Sequence, residues 1–175
     1  MSAPELVLMV GQVGAGKTTR AKELAAALPA VRLTPDEWMR PLFGDPEADG
    51  MRTVVEGRLI TTAVEILRAG ASVVLDFGLW TRDERIALSW LAGTVGARTR
   101  TEYLAIDPAQ QAARVAERGR SDSTAWPVTQ DALDEWRTLL EEPTPAEAAG
   151  DFGPRATADW GDWIARKWPS ALAEV

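Results

Sequence analysis

The chain has 175 residues, long enough for one domain with a full core and too short for two of ordinary size. With 46% hydrophobic and 26% charged residues, no apolar run of bilayer-spanning length and no signal-peptide pattern in Met1-Ser2-Ala3-Pro4, it is expected to be soluble and cytoplasmic, without membrane contact. Cysteine and histidine are absent, which excludes disulfides and thiolate chemistry and leaves acid–base work to carboxylates, and a net charge of −7 disfavours broad electrostatic binding to nucleic acid.

Residues 5–10 (ELVLMV) predict a buried parallel strand. Gly11-Gln12-Val13-Gly14-Ala15-Gly16-Lys17-Thr18 follows directly and is a complete G-x-x-x-x-G-K-[ST] phosphate-binding loop. Ala21, Leu24, Ala25 and Leu28 then recur at helical spacing up to Pro29, so a helix opens near Gly16. Strand, loop and helix in that order make handling of a nucleoside triphosphate the leading expectation. Backbone N–H groups around Gly11, Val13, Gly14, Ala15 and Gly16 would face the phosphates, with the helix N-terminus adding partial positive charge. Lys17 would reach the β- and γ-phosphates and the Thr18 hydroxyl would coordinate Mg²⁺. Thr19 either contacts the α-phosphate or only begins the helix.

Val31-Arg32-Leu33 is a short strand candidate, followed by a helix from about Pro35. Asp36 has two readings. Just beyond the second strand, it would sit where an acceptor meets the γ-phosphate, and could take the proton of the acceptor hydroxyl. Equally, Thr34-Pro35-Asp36-Glu37 matches a capping box with Glu37 as cap partner. Residues 43–50, rich in Gly, Pro and Asp, read as a mobile loop before a helix over about residues 52–68, whose Val55, Leu59, Ala63 and Leu67 share one face. Residues 72–76 (SVVLD) predict the third strand, and Asp76 has the form of a Walker-B aspartate able to hold Mg²⁺ directly or through water. The plainer reading of Asp76 is a polar residue ending a strand. Thr81-Arg82-Asp83-Glu84 is a second capping-box pattern, so Arg82 and Arg85 either decorate a helix or lend one cation to the substrate.

Residues 101–106 (TEYLAI) predict the fourth strand, and Asp107-Pro108 caps a helix that closes with Arg114, Arg118, Gly119 and Arg120. Arg118 and Arg120 could fold over the nucleotide as a lid and stabilise charge on the transferring phosphoryl group, unless they only answer the helix dipole. Arg114 could stack on the adenine. A helix is expected over residues 129–142, and the alternation of strands and helices is that of an open parallel sheet covered on both faces. Residues 142–154 offer no clear fifth strand, and Trp160, Trp163 and Trp168 then recur at roughly helical spacing, as in a helix packed on the sheet. Trp38, Trp80 and Trp126 fall near predicted loops, where with Arg40 and Arg82 they could hold a planar or sugar-bearing acceptor.

The stretches GQVGAGKTT, RLTPDEW, VVLD and YLAIDP, with Arg114, Arg118 and Arg120 after the last, resemble those of small P-loop kinases that include zeta toxin, chloramphenicol phosphotransferase and the kinase domain of polynucleotide kinases. The resemblance extends over residues 5–142. It implies an α/β, three-layer P-loop NTPase fold of AAA type with a mostly parallel five-stranded sheet of order 2-3-1-4-5 and a lid over about residues 118–128. It also implies a base at Asp36 and phosphate contacts from Arg118 and Arg120. The expectation is therefore a single kinase domain over residues 1–175, with a Trp-rich C-terminal extension over about residues 151–175. Its activity would be ATP- and Mg²⁺-dependent phosphoryl transfer to a hydroxyl of a small or nucleotide-like molecule. The rivals are a polynucleotide 5′-hydroxyl kinase, which needs a basic channel, and a nucleotide-binding regulatory ATPase module with little kinase activity.

Overall fold

In the computed structural model, which describes residues 3–45, 48–121, 128–153 and 159–171, the apolar run after Pro4 forms the central strand β1 (Glu5–Gly11). Its Leu6, Val7, Leu8, Met9 and Val10 are all buried, as a parallel strand covered on both faces requires. Strands β2 (Ala30–Leu33), β3 (Ser72–Gly78) and β4 (Arg98–Leu104) lie parallel to it in the order β2-β3-β1-β4. Leu8 pairs with Leu75 on one side and Thr101 on the other, and Leu33 pairs with Leu75.

The helices are α1 (Lys17–Ala27), α2 (Asp36–Phe43), α3 (Met51–Arg68), α4 (Arg82–Thr94), α5 (Pro108–Ser121), α6 (Gln130–Leu139), α7 (Pro145–Ala148) and α8 (Trp160–Lys167). A single 3-10 turn, Ala48–Gly50, precedes α3 within the segment expected to be a loop. Alternation along the strands separates two cores. Val7, Met9 and Val74 pack with Ala21 and Leu24 of α1 on one face, whereas Leu6, Leu8, Leu75 and Leu33 pack with the apolar stripes of α3 and α4 on the other. This is the three-layer α/β architecture expected of a P-loop NTPase.

Several local expectations are corrected. The sheet takes the first four places of the 2-3-1-4-5 order, and no fifth strand is present among the described residues. Beside β4 lies α7 instead, and the approach is so close that a Cβ on Gly150 (φ 87) would stand 2.4 Å from the Thr99 carbonyl oxygen. Strand β4 begins three positions before the apolar run suggested. Its Arg100 pairs with Glu5 and Glu102, so the strand is polar along much of its length and shows no hydrophobic signal there. Helix α5 runs through Gly119 to Ser121, so the first residues of the expected lid, Arg118 and Arg120 among them, are helical.

The tryptophan-rich segment does form a helix, but α8 packs on α4 and the edge of α3, not on the sheet. Trp160 and Trp168 are buried, and Trp163 meets both of them edge-on at 5.9 and 5.8 Å between ring centroids. On α3, Gly57 admits the tail: a Cβ there would lie 2.2 Å from Ser170 Oγ and 2.7 Å from the Ala171 nitrogen. Arg85, read as surface decoration or a substrate contact, is fully buried and pairs with buried Glu147 of α7 at 3.0 Å. It also donates to the Leu79 and Trp80 carbonyls, so it fastens α4 to α7. Among the described residues, no helix is long and apolar enough to cross a membrane.

Candidate active site

The loop leaves β1 at Gly11, where φ is 148° and a Cβ would collide with the Leu104 carbonyl oxygen at 2.5 Å. Gly14 (φ 81°) and Gly16 (φ 97°) supply the left-handed turns, and Gly16 is the N-cap of α1 without any side-chain cap. No side chain therefore occupies the cap acceptor position at the start of α1, the arrangement that suits an anion. Lys17 Nζ donates to the Gly11 and Gln12 carbonyls, each at 2.9 Å. Burial pulls the Lys17 ammonium below its usual range; the carboxylates of Asp76 and Asp36 oppose this and the Arg118 charge adds to it. Lys17, Asp36, Asp76 and Arg118 thus share one electrostatic neighbourhood, although they come from four different elements.

Asp76 ends the buried part of β3 with its side chain 3% exposed. Burial pushes its carboxyl up, while the Thr18 hydroxyl bonded to it and the charges of Arg32 and Lys17 draw it back. Arg32 Nη1 stands 3.0 Å from Asp76 Oδ2, and the other end of the same guanidinium pairs with Glu37. The Thr18 hydroxyl thus bears on the Asp76 carboxylate, two hard oxygen groups of the kind Mg²⁺ accepts.

The capping reading of residues 34–37 does not hold. Pro35 is the N-cap of α2, already in helical conformation (φ −62°, ψ −30°), and no side chain caps the helix. Glu37 is drawn to Arg32 rather than to the cap. Asp36 is left with its side chain 65% exposed, held only on one side by Arg52 Nη1 at 2.9 Å.

Two helices are moored to the loop. Arg114 Nη1 of α5 donates to the Gly14 carbonyl at 3.2 Å and Gln111 Nε2 to the Val13 carbonyl at 3.1 Å. From α6, Arg137 donates to Gln111 Oε1 at 2.6 Å, and Gln12 of the loop donates to the Trp136 carbonyl at 3.0 Å. Trp136 packs on Trp80 with centroids 6.0 Å apart, which places Trp80 beside this joint. Arg120 pairs with Glu117 and is largely exposed. Thr19 lies exposed in the first turn of α1, and Trp38 stands 49% exposed on α2, the helix that also carries Arg40. Arg82 donates to the Phe152 carbonyl at 3.3 Å and so braces the segment after α7. Trp126 and most of the expected lid lie outside the described residues.

Sequence reasoning missed Arg32, Arg52, Gln111, Trp136 and Arg137. Only Arg32 carried a signal, as the one charge inside a short apolar strand.

A glycine-rich turn between the central parallel strand and a helix, below a 2-3-1-4 sheet, defines the P-loop nucleoside-triphosphatase fold. Residues 6–143 match the family described as the AAA domain, and the chain belongs to it. The solved structures similar to it include a chain of the Pnkp1/Rnl/Hen1 RNA repair complex (TM-score 0.64, 17% identity, 80% of this chain and 45% of that one). This chain therefore spans less than half of that relative. Chaetomium thermophilum Kti12 in complex with ADP-AlF3 is also similar (TM-score 0.61, 15% identity, 94% and 98% of the two chains). A gluconokinase from Sinorhizobium meliloti 1021 is a third (TM-score 0.54, 16% identity, 97% and 93%). At these identities the likeness is one of fold. No curated protein matches the chain in sequence.

Proposed function

We propose that the protein is an ATP-dependent phosphotransferase that moves the γ-phosphoryl group to a hydroxyl of a small molecule in the cytoplasm. The observation that carries this reading is the convergence of Lys17, Asp36 and Asp76 on one site, with Asp36 exposed and not engaged as a cap. A regulatory nucleotide switch has no need of a second carboxylate in the field of Lys17.

The loop amides and the α1 N-terminus bind the triphosphate, and Lys17 turns from the Gly11 and Gln12 carbonyls to the β- and γ-phosphates. Thr18 and Asp76 would hold Mg²⁺, whose remaining positions suit water and phosphate oxygens; when bound, the ion neutralises charge on those phosphates. Asp36 accepts the proton as the acceptor oxygen bonds to the γ-phosphorus, and the bond from phosphorus to the bridging oxygen breaks to release ADP. Arg118 and Arg120 at the end of α5 would stabilise equatorial charge, Arg114 would meet the base, and Trp38 and Arg40 of α2 would meet the acceptor.

A small acceptor is favoured over a polynucleotide by the charges around Asp36. Arg32 is neutralised by Asp76 and Glu37, and Arg52 by Asp36 and Glu56, so neither offers an unspent cation to a phosphodiester backbone. The test is a screen of metabolites, nucleosides, antibiotics and 5′-hydroxyl oligonucleotides for an ATP-dependent mass gain of one phosphate. Transfer to a small molecule supports the reading. Transfer only to oligonucleotides, or ATP binding with no transfer to any class, would overturn it.

A further inference from the structure

We propose that Arg52, Glu56 and Trp168 form a positioning relay that holds the Asp36 carboxylate, so that the tryptophan-rich tail sets the acceptor side of the site. The inference rests on Asp36 being the base, as argued above. Trp168 Nε1 donates to Glu56 Oε2 at 3.0 Å, Glu56 Oε1 forms an ion pair with Arg52 Nε at 3.2 Å, and Arg52 Nη1 donates to Asp36 Oδ1 at 2.9 Å. Arg52 and Glu56 are four residues apart on α3 and share one face. Because the guanidinium meets Glu56 as an ion pair through Nε and Asp36 by a hydrogen bond through Nη1, the Glu56 charge bears on the direction from which it grips Asp36.

The far end of the relay is rigid. Trp168 is 1% exposed, is walled by Trp163, and belongs to the segment whose Ser170 and Ala171 lie against Gly57. The near end needs support, since a carboxylate on an exposed first turn otherwise samples several rotamers, and a base must be held close to its productive geometry. Glu56 is costly to keep where it is: its side chain is 17% exposed, and burial raises its carboxyl against the pull of Trp168 and Arg52. Replacing a buried charge pair by apolar groups is often neutral or stabilising, so the pair is read as a device of orientation rather than of stability. With Oδ1 held by Arg52, the other oxygen of Asp36 takes the acceptor proton.

The test uses the whole chain. In a ¹⁵N-labelled sample the eight indole N–H resonances are resolved, and Trp168→Phe, which keeps the packing and deletes the donor, identifies one of them; Glu56→Gln identifies the same peak should that variant not fold. Asp36→Asn and Arg52→Lys should each shift the Trp168 indole peak, while Glu37→Gln, which touches Arg32 instead, should not. An indole peak unmoved by both substitutions overturns the relay whether or not Asp36 is the base. In parallel, ATP turnover with water as acceptor should fall on the order of ten-fold in Glu56→Gln, at unchanged KM for ATP and without further loss in the Asp36→Asn background. Full additivity of the two substitutions would overturn positioning through Asp36. Turnover insensitive to Asp36→Asn would sink the base reading, while the indole shift still decides the relay.

Discussion

Arg32 Nη1 lies 3.0 Å from Asp76 Oδ2 while the same guanidinium pairs with Glu37, so one nearly buried cation serves both Asp76 of β3 and helix α2. Its removal should be felt in two ways. Arg32→Met leaves the buried Asp76 carboxylate without its arginine and should cost about 3 kcal/mol in urea unfolding at neutral pH. The Asp76 carboxyl, already raised by burial, rises further. Because a raised carboxyl destabilises the fold while ionised, the variant should recover part of this stability as pH falls. Its Mg²⁺-supported ATP affinity should fall away at a higher pH than in the parent, as measured by calorimetry from about pH 5 to about pH 8.

Lys17→Ala deletes the cation held over the loop carbonyls. ATP affinity or turnover should drop on the order of a hundred-fold or more, with thermal stability nearly kept because a partly desolvated ammonium is removed. Unaltered nucleotide affinity and turnover would withdraw the loop from the reaction.

Asp36→Asn should leave ATP affinity nearly intact and lower phosphoryl transfer by roughly 10² to 10⁴, the range expected for a lost base. Single-turnover transfer to the acceptor found by screening is the measurement. Equal rates in the two proteins would leave Asp36 as no more than the partner of Arg52.

Glu147→Gln breaks the buried pair with Arg85. Burial alone would push the Glu147 carboxyl up, but the Thr144 N–H and the Arg85 guanidinium outweigh it and hold the carboxyl below the usual range. A depressed carboxyl contributes stability above its unfolded value, about 4.3, and loses it as pH falls through the folded value. The variant should therefore be about 3 kcal/mol less stable at neutral pH and show a shallower loss on acidification. Parallel acid profiles for the two proteins would remove the pair from the stability of the fold.

Much of the donor half was legible because its determinants are local. The strand, the glycine turn, Lys17 and the α1 stripe follow one another within the first 27 residues, and periodicity suffices to read them. The acceptor half was not legible in the same way. The Thr34 box matched in letters, but Pro35 had already entered the helix and Arg32 on the neighbouring strand claimed Glu37, so a tertiary charge outweighed a local cap. Arg32 and Asp76 are 44 residues apart and Trp168 and Glu56 are 112 apart, distances at which spacing carries no information. The early start of β4 was hidden because Arg98, Thr99 and the ion-paired Arg100 interrupt the hydrophobic pattern that betrays buried strands.

Gly57 gives the tail a seat that no larger residue would permit, one turn along α3 from the arginine that grips Asp36. The glycine-rich loop, by contrast, is tied to α5 and α6. The loop and Asp36 are thus fastened by different stretches of chain, and they can drift independently. For the phosphotransferase proposed above, remodelling residues 159–171 would retune which hydroxyl is served while the appetite for nucleotide stays as it was.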